Sequence, residues 1–163
     1  MSKARLVAMI GAPATAVVLA VLPQVEGTVL RGYRDPIGIV TACTGHTKTA
    51  VLGRPYTREE CEGLLVEDTI AHAEPVIRCA GTKEQLGPYR MAGAVSFTFN
   101  VGGANFCGST FAKKLKANDP TACAEISRWI MAGGKDCRIA SSNCAGIVER
   151  RRIERDICEG KLQ

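Results

Sequence analysis

The sequence predicts an α+β fold, mainly helical, with a small N-terminal β lobe and an N-terminal signal-anchor segment ahead of it. Three observations carry this reading. Residues 6–23 hold no charge and follow Lys3 and Arg5. Residues 33–52 are rich in Gly and Thr and are interrupted by Pro36, Gly38 and Gly45. Beyond Thr57, capping signals and apolar stripes recur at helical spacing. At 163 residues the chain suits one domain with a short appendage, divided here as 1–25 and 26–163.

The first element is the uncharged stretch, eighteen residues long and so just sufficient to span a bilayer. Its positive flank predicts a cytoplasmic N-terminus with the remainder outside. Insertion is nonetheless marginal. The eight Leu, Ile and Val residues each contribute about −0.3 to −0.6 kcal/mol. Pro13, placed mid-stretch, opposes them by about 3 kcal/mol on the scale for helices in water. No convincing small-x-small cleavage site lies between Ala20 and Glu26. A weak anchor that later leaves the membrane is the reading preferred over a cleaved signal peptide or a permanent anchor.

Residues 33–52 then predict a β-hairpin or a three-stranded lobe. Thr57-Arg58-Glu59-Glu60 is a capping box that opens a helix with Cys61, Leu64, Leu65 and Ile70 on its apolar side. Pro75 is expected to end or restart that helix. Residues 89–106 are apolar around much of the circumference, as in a central buried helix. Asp119-Pro120 opens a further helix, which Gly133-Gly134 stops after Trp129 and Met131. The last helix carries Ile147, Val148, Ile153, Ile157 and Cys158 on one side, and Gly160 closes it. Phe97, Phe99 and Trp129 read as core. Lys113, Lys114 and Lys116 read as the exposed side of a short helix.

The formal charge of +5 suits an anionic polymer but is too small a surplus to argue for nucleic acid. Eight cysteines, at 43, 61, 79, 107, 123, 137, 144 and 158, all follow the apolar stretch and read as disulfides of an oxidising compartment. Zinc is disfavoured, because no C-x2-C pair exists and neither His46 nor His72 joins a ligand cluster. No metal and no cofactor are expected, and a monomer is.

Two acids flank the β lobe. Glu26 follows Leu22, Pro23 and Val25, an apolar setting of the kind that keeps a carboxyl protonated. Asp35 lies in the polar turn Tyr33-Arg34-Asp35-Pro36, which suits an ionised group. A glycosidase needs one carboxyl of each kind, and Thr41 on the adjoining strand can orient a water. Most acids in any chain are solvated surface groups, so the triad alone does not decide for catalysis.

The surrounding segments resemble the phage-type lysozymes, glycoside hydrolase family 24. EGTVLRGYRDPIGIVTACTGHT resembles the family's active-site segment, with Tyr two before the Asp and Gly-His-Thr after the Thr. AGAVSFTFNVGGANFCGST resembles its central helix, and GIVERRRIERDIC its C-terminal helix with the Arg-Arg-x-x-Glu pattern. The resemblance implies a lysozyme-like fold over 26–163 and hydrolysis of the β-1,4 bond between N-acetylmuramic acid and N-acetylglucosamine in peptidoglycan. It assigns Glu26 as general acid, Asp35 as second carboxylate and Thr41 as a holder of the attacking water, with inversion. It also implies a structural ion pair between His46 and Asp68. By the same analogy and by closeness along the chain, the favoured disulfides are Cys79–Cys107, Cys137–Cys144, Cys43–Cys61 and Cys123–Cys158. Arg150, Arg151 and Arg152 either orient the acid, bind an anionic glycan, or form a solvated face.

The apolar stretch and the cysteines resemble the signal-anchor-release endolysins, which lyse the host for phage release. That implies a periplasmic catalytic domain held at the host inner membrane through 6–23 and then freed. Because no cysteine precedes Cys43, caging by disulfide exchange with the anchor is not available, and control is expected to be positional. Two alternatives remain. A lytic transglycosylase would cleave the same bond with a single acid, and a non-catalytic, disulfide-stapled, membrane-tethered binding or immunity module would use Glu26 and Asp35 only structurally.

Overall fold

The computed structural model describes residues 2–161; positions 1, 162 and 163 of the two predicted segments lie outside the described residues. The chain divides into two compact units, Met1–Ala71 and His72–Gln163.

In the first unit the apolar stretch forms two helices, α1 (Lys3–Ile10) and α2 (Ala12–Glu26), bent by 118°. Gly11 adopts φ 86° at the break, a conformation L side chains resist. Pro13, expected mid-helix, instead sits in the first turn of α2, where its missing N–H leaves no hydrogen bond unmade. Neither helix alone is long and apolar enough to cross a membrane. Leu6, Ile10, Ala14, Val18 and Leu22 recur every fourth residue and are buried.

Strands β1 (Val29–Arg34) and β2 (Val40–Cys43) pair antiparallel, with Val29 opposite Cys43 and Tyr33 opposite Thr41. The hairpin thus begins four residues before the predicted lobe. A third segment completes it: Gly32 N–H donates to Arg54 O and Tyr56 N–H to Leu30 O, both at 2.9 Å, with a bridge between Arg31 and Pro55. The lobe's small core is Ala42, Cys43, Tyr56 and Cys61. Its Cys43–Cys61 disulfide ties β2 to α3 (Arg58–Cys79).

The capping box opens α3 as expected: Glu60 N–H donates to Thr57 Oγ1 at 3.1 Å, and Thr57 N–H to Glu60 Oε2 at 2.7 Å. Pro75 does not end this helix, which continues to Cys79. The proline is buried, and a Cβ at Gly103 would lie 2.8 Å from its Cγ. Burial of the ring against a residue without a side chain offsets the lost backbone bond.

In the second unit, α4 (Lys83–Val101) is buried on every side from Met91 to Thr98. It stops at Gly102 rather than running to Phe106, and α5 (Gly103–Gly108) and α6 (Thr110–Lys116) follow. Phe97 meets Phe111 and Trp129 edge to face at 5.4 and 5.3 Å between ring centroids; Phe97 is core as read, while Trp129 and Phe99 are half-buried. Lys113 and Lys116 are exposed, but Lys114 is paired with Glu125 at 2.7 Å.

The α-helix expected after Asp119-Pro120 is a 3-10 turn, Ala122–Arg128. Asp119 accepts the N–H of Thr121 at 2.7 Å, and so shapes the turn before it. Gly133-Gly134 does not stop a helix. Both residues have positive φ, 54° and 75°, and they turn a hairpin between β3 (Met131–Ala132) and β4 (Lys135–Asp136), as the twist of a two-residue connection requires. The remaining disulfides are Cys79–Cys107, Cys123–Cys158 and Cys137–Cys144.

Helix α7 (Ala145–Cys158) buries Arg150, Arg151, Glu154, Ile157 and Cys158. Ile147, Val148 and Ile153, read as part of the inner side, are only half-buried. Glu154 is fully buried between two arginines, 2.8 Å from Arg150 Nε and in contact with Arg151. Arg151 also donates to Trp129 O at 2.9 Å and to Asn100 Oδ1, and lies over the Phe97 ring. Arg152 alone of the three faces solvent, pairing with Glu149 and Asp156.

Candidate active site

Glu26, Asp35, Thr41, His46 and Asp68 all belong to the first unit, and short connections fix their order in space. Glu26 is the last residue of α2 and is half-buried. Gly27 N–H donates to Pro23 O at 3.0 Å, so the helix is closed directly after the carboxylate. Thr28 then shares a 3.1 Å hydrogen bond with the Thr44 hydroxyl. The segment following Glu26 is thereby fastened to the end of β2. Neither threonine is marked out by the sequence, because hydroxyls sixteen residues apart carry no periodic signal.

Asp35 directly follows β1. Its N–H donates to Ile39 O, and its Oδ1 accepts from the N–H groups of Ile37 and Ile39 at 3.0 and 2.8 Å. The turn therefore holds the carboxylate by its own backbone, the Asx arrangement that makes aspartate a turn former. Both of these backbone bonds fall on Oδ1. Thr41 lies opposite Tyr33, and Asp35 is two residues beyond Tyr33. With the period of two along a strand, Asp35 and Thr41 share a face as diagonal neighbours, roughly 7–8 Å apart between backbones. Thr41 is buried, and its hydroxyl donates to Ile39 O at 3.2 Å. Its proton is thus committed, while its oxygen can still accept.

His46 is buried and holds its ring between Asp68 Oδ2, 2.7 Å from Nδ1, and Thr49. The Thr49 N–H donates to Nε2 at 3.1 Å. A backbone amide is unambiguously a donor, so Nε2 accepts and the ring proton sits on Nδ1, directed at Asp68. The pair clamps the loop after β2 onto α3. Among the described residues no group of three or more His, Cys, Asp or Glu side chains is arranged to hold a metal ion.

Residues 23–154 match the phage lysozyme family. A SAR-endolysin of Enterobacteria phage PA-2 is 38% identical over 157 residues, covering 91% of this chain and 88% of its own. A SAR-endolysin of Bacteriophage PS119 is 36% identical over 143 residues, covering 82% of this chain and 75% of its own. Among solved structures, the endolysin from Escherichia coli O157:H7 phage FAHEc1 superposes with a TM-score of 0.76 at 25% identity, covering 90% of this chain and 92% of its own.

Proposed function

The chain belongs to the phage lysozyme family, and from that premise we infer the reaction, the residues that perform it and the place where it occurs. The protein is a peptidoglycan-hydrolysing endolysin, a muramidase serving host cell lysis. Its bond is the β-1,4 link between N-acetylmuramic acid and N-acetylglucosamine.

Glu26 is the general acid, giving its proton to the glycosidic oxygen. Asp35 and Thr41 hold the attacking water. The observation that supports this division is the committed proton of Thr41: because that hydroxyl donates to Ile39 O, it can only accept from a water. One water hydrogen then points to Thr41 and the other to Asp35, which removes it as base. The water's lone pair is left for the anomeric carbon. Inversion follows, and requires the two carboxyl groups to stand about 6.5–9.5 Å apart. Glu26→Gln keeps the shape and removes the proton. Turbidity clearing of outer-membrane-permeabilised cells should fall by about 10²–10⁴-fold. Clearing within a factor of about three of the parent, or 1,6-anhydromuramyl product ends, would overturn the assignment.

Residues 6–23 form the inner-membrane anchor before release. They are uncharged and apolar, as insertion requires, and the similar proteins are named SAR-endolysins. In the anchored form the catalytic domain faces the periplasm, with Glu26 within a turn of the lipid. Loss of the marginal insertion energy lets α1 and α2 join the body and completes the site. Residues 1–25 thus act as an anchor first and as part of the fold afterwards. The protein works as a monomer on glycan strands.

A further inference from the structure

Among the described residues ten large apolar side chains are exposed, and seven of them lie between Val29 and Leu52. The pairing register shows where four of these gather. β1 runs from Val29 to the turn at 35–39, and the third segment runs the opposite way, with Tyr56 bonded to Leu30 and Arg54 to Gly32. The turn preceding that segment, closed by Arg54 N–H on Val51 O at 3.1 Å, therefore lies at the same end of the lobe as the 35–39 turn. A Cβ on Gly32 would fall 1.9 Å from Val51 O, so the second turn is laid directly on β1. The end of the lobe thus presents Ile37, Ile39, Val51 and Leu52, between 47% and 80% exposed.

Basic side chains outnumber acidic ones along this stretch. From Val29 to Arg54 the chain carries Arg31, Arg34, Lys48 and Arg54 against the single acid Asp35. Lys48 and Arg54 have acidic partners, whereas Arg31 and Arg34 pair with no acid among the described residues. Arg34 instead donates to Gly38 O at 2.9 Å, which holds its guanidinium beside the tip. Branched aliphatic side chains offer a sugar neither a stacking face nor a hydrogen bond. An apolar tip with basic flanks is the composition that seats in the headgroup region of an anionic bilayer.

We propose that the end of the β lobe, Ile37, Ile39, Val51 and Leu52 with Arg31 and Arg34, is a docking surface for an anionic lipid bilayer. This deepens the anchored state inferred above and rests on it, since a chain tethered through residues 6–23 brings β1 to the lipid within a few residues. Docking seats the Asp35 turn against the headgroups, so the same contact that steadies the tethered enzyme withholds one of its carboxylates from the wall.

The test is co-sedimentation of the full-length soluble protein with vesicles of anionic phosphatidylglycerol or of zwitterionic phosphatidylcholine alone, alongside purified sacculi. Ile37→Ser with Leu52→Ser should weaken binding to anionic vesicles by about tenfold or more, and Arg34→Gln by about fivefold at low salt. Neither change should reduce retention of native circular dichroism. Equal binding of parent and variants to anionic vesicles would overturn the proposal. So would no preference of the parent for anionic over zwitterionic lipid, or loss of sacculus binding with vesicle binding unchanged, which would give the surface to glycan. Failure of the parent to hydrolyse sacculi would instead count against the muramidase reading and leave the lipid comparison interpretable.

Discussion

Removing Glu154 isolates the strongest electrostatic commitment in the second unit. Its carboxylate is fully buried and joins two arginines whose side chains are only 5% and 4% exposed. Ser96 adds a hydroxyl at 3.3 Å. In Glu154→Ala the guanidinium groups of Arg150 and Arg151 lose this counter-charge and stay packed, Arg151 still over Phe97 and bonded to Trp129 O. Breaking one side of a buried charge cluster costs about 3–5 kcal/mol. For a chain of this size that corresponds to a fall in Tm of roughly 10 °C. The assay is thermal unfolding followed by far-ultraviolet circular dichroism with disulfides intact. Glu149→Ala serves as the internal comparison, because its partner Arg152 is 61% exposed and solvent screens such a surface pair. Replacing the cluster together, with Arg150→Met, Arg151→Met and Glu154→Leu, should recover most of the loss. If Glu154→Ala unfolds within about 2 °C of Glu149→Ala, the buried cluster is not a principal source of stability.

Three further outcomes follow from named contacts. Cys43→Ser with Cys61→Ser opens an eighteen-residue loop and should cost about 3 kcal/mol in denaturant unfolding, with a larger fractional loss of muramidase activity than Cys137→Ser with Cys144→Ser, since β2 carries Thr41. Asp136 is held at about 2 by the side-chain and backbone hydrogen bonds of Arg138. A depressed folded-state value means that the pair's stabilisation is complete above the ordinary carboxylate range near 4 and fades as pH falls toward 2. A carboxyl NMR titration should show that midpoint, and Arg138→Gln should raise it only part of the way to the ordinary carboxylate value, because the backbone N–H of residue 138 still donates to Asp136 Oδ1. Replacing Gly11 and Pro13 with Leu should strengthen insertion of residues 6–23, keep the protein in the membrane fraction and delay lysis; unchanged fractionation and timing would refute the release mechanism.

Elements announced by local chemistry were legible in the sequence. Thr57 and Glu60 cap a helix through bonds spanning three residues, and the hairpin around Pro36 and Gly38 is written in its turn. What depended on distant packing was not. Pro75 reads as a helix terminator until Gly103 leaves room for its ring. Gly133-Gly134 reads equally as a helix stop or a hairpin turn, and only the pairing of Met131 with Asp136 separates the two. The inner face of α7 was obscured because its repeat is made of Arg150, Glu154 and Ile157, so an apolar pattern cannot find a stripe that is half ionic. At the candidate site, Glu26, Asp35 and Thr41 are proposed from spacing and resemblance, whereas the backbone grip of Ile37 and Ile39 on Asp35 has no signature in side-chain type.

The bend at Gly11 sets a geometric exclusion. Drawn out straight, residues 3–26 would reach about 36 Å at 1.5 Å per residue, beyond the roughly 30 Å of hydrocarbon in a bilayer. Folded at 118°, the longer arm reaches only about 22 Å. One stretch of chain thus has two mutually incompatible lengths. On the anchor reading proposed above, a molecule that has taken up the short one has given up its hold on the lipid, and the choice between them turns on the backbone of one residue, Gly11.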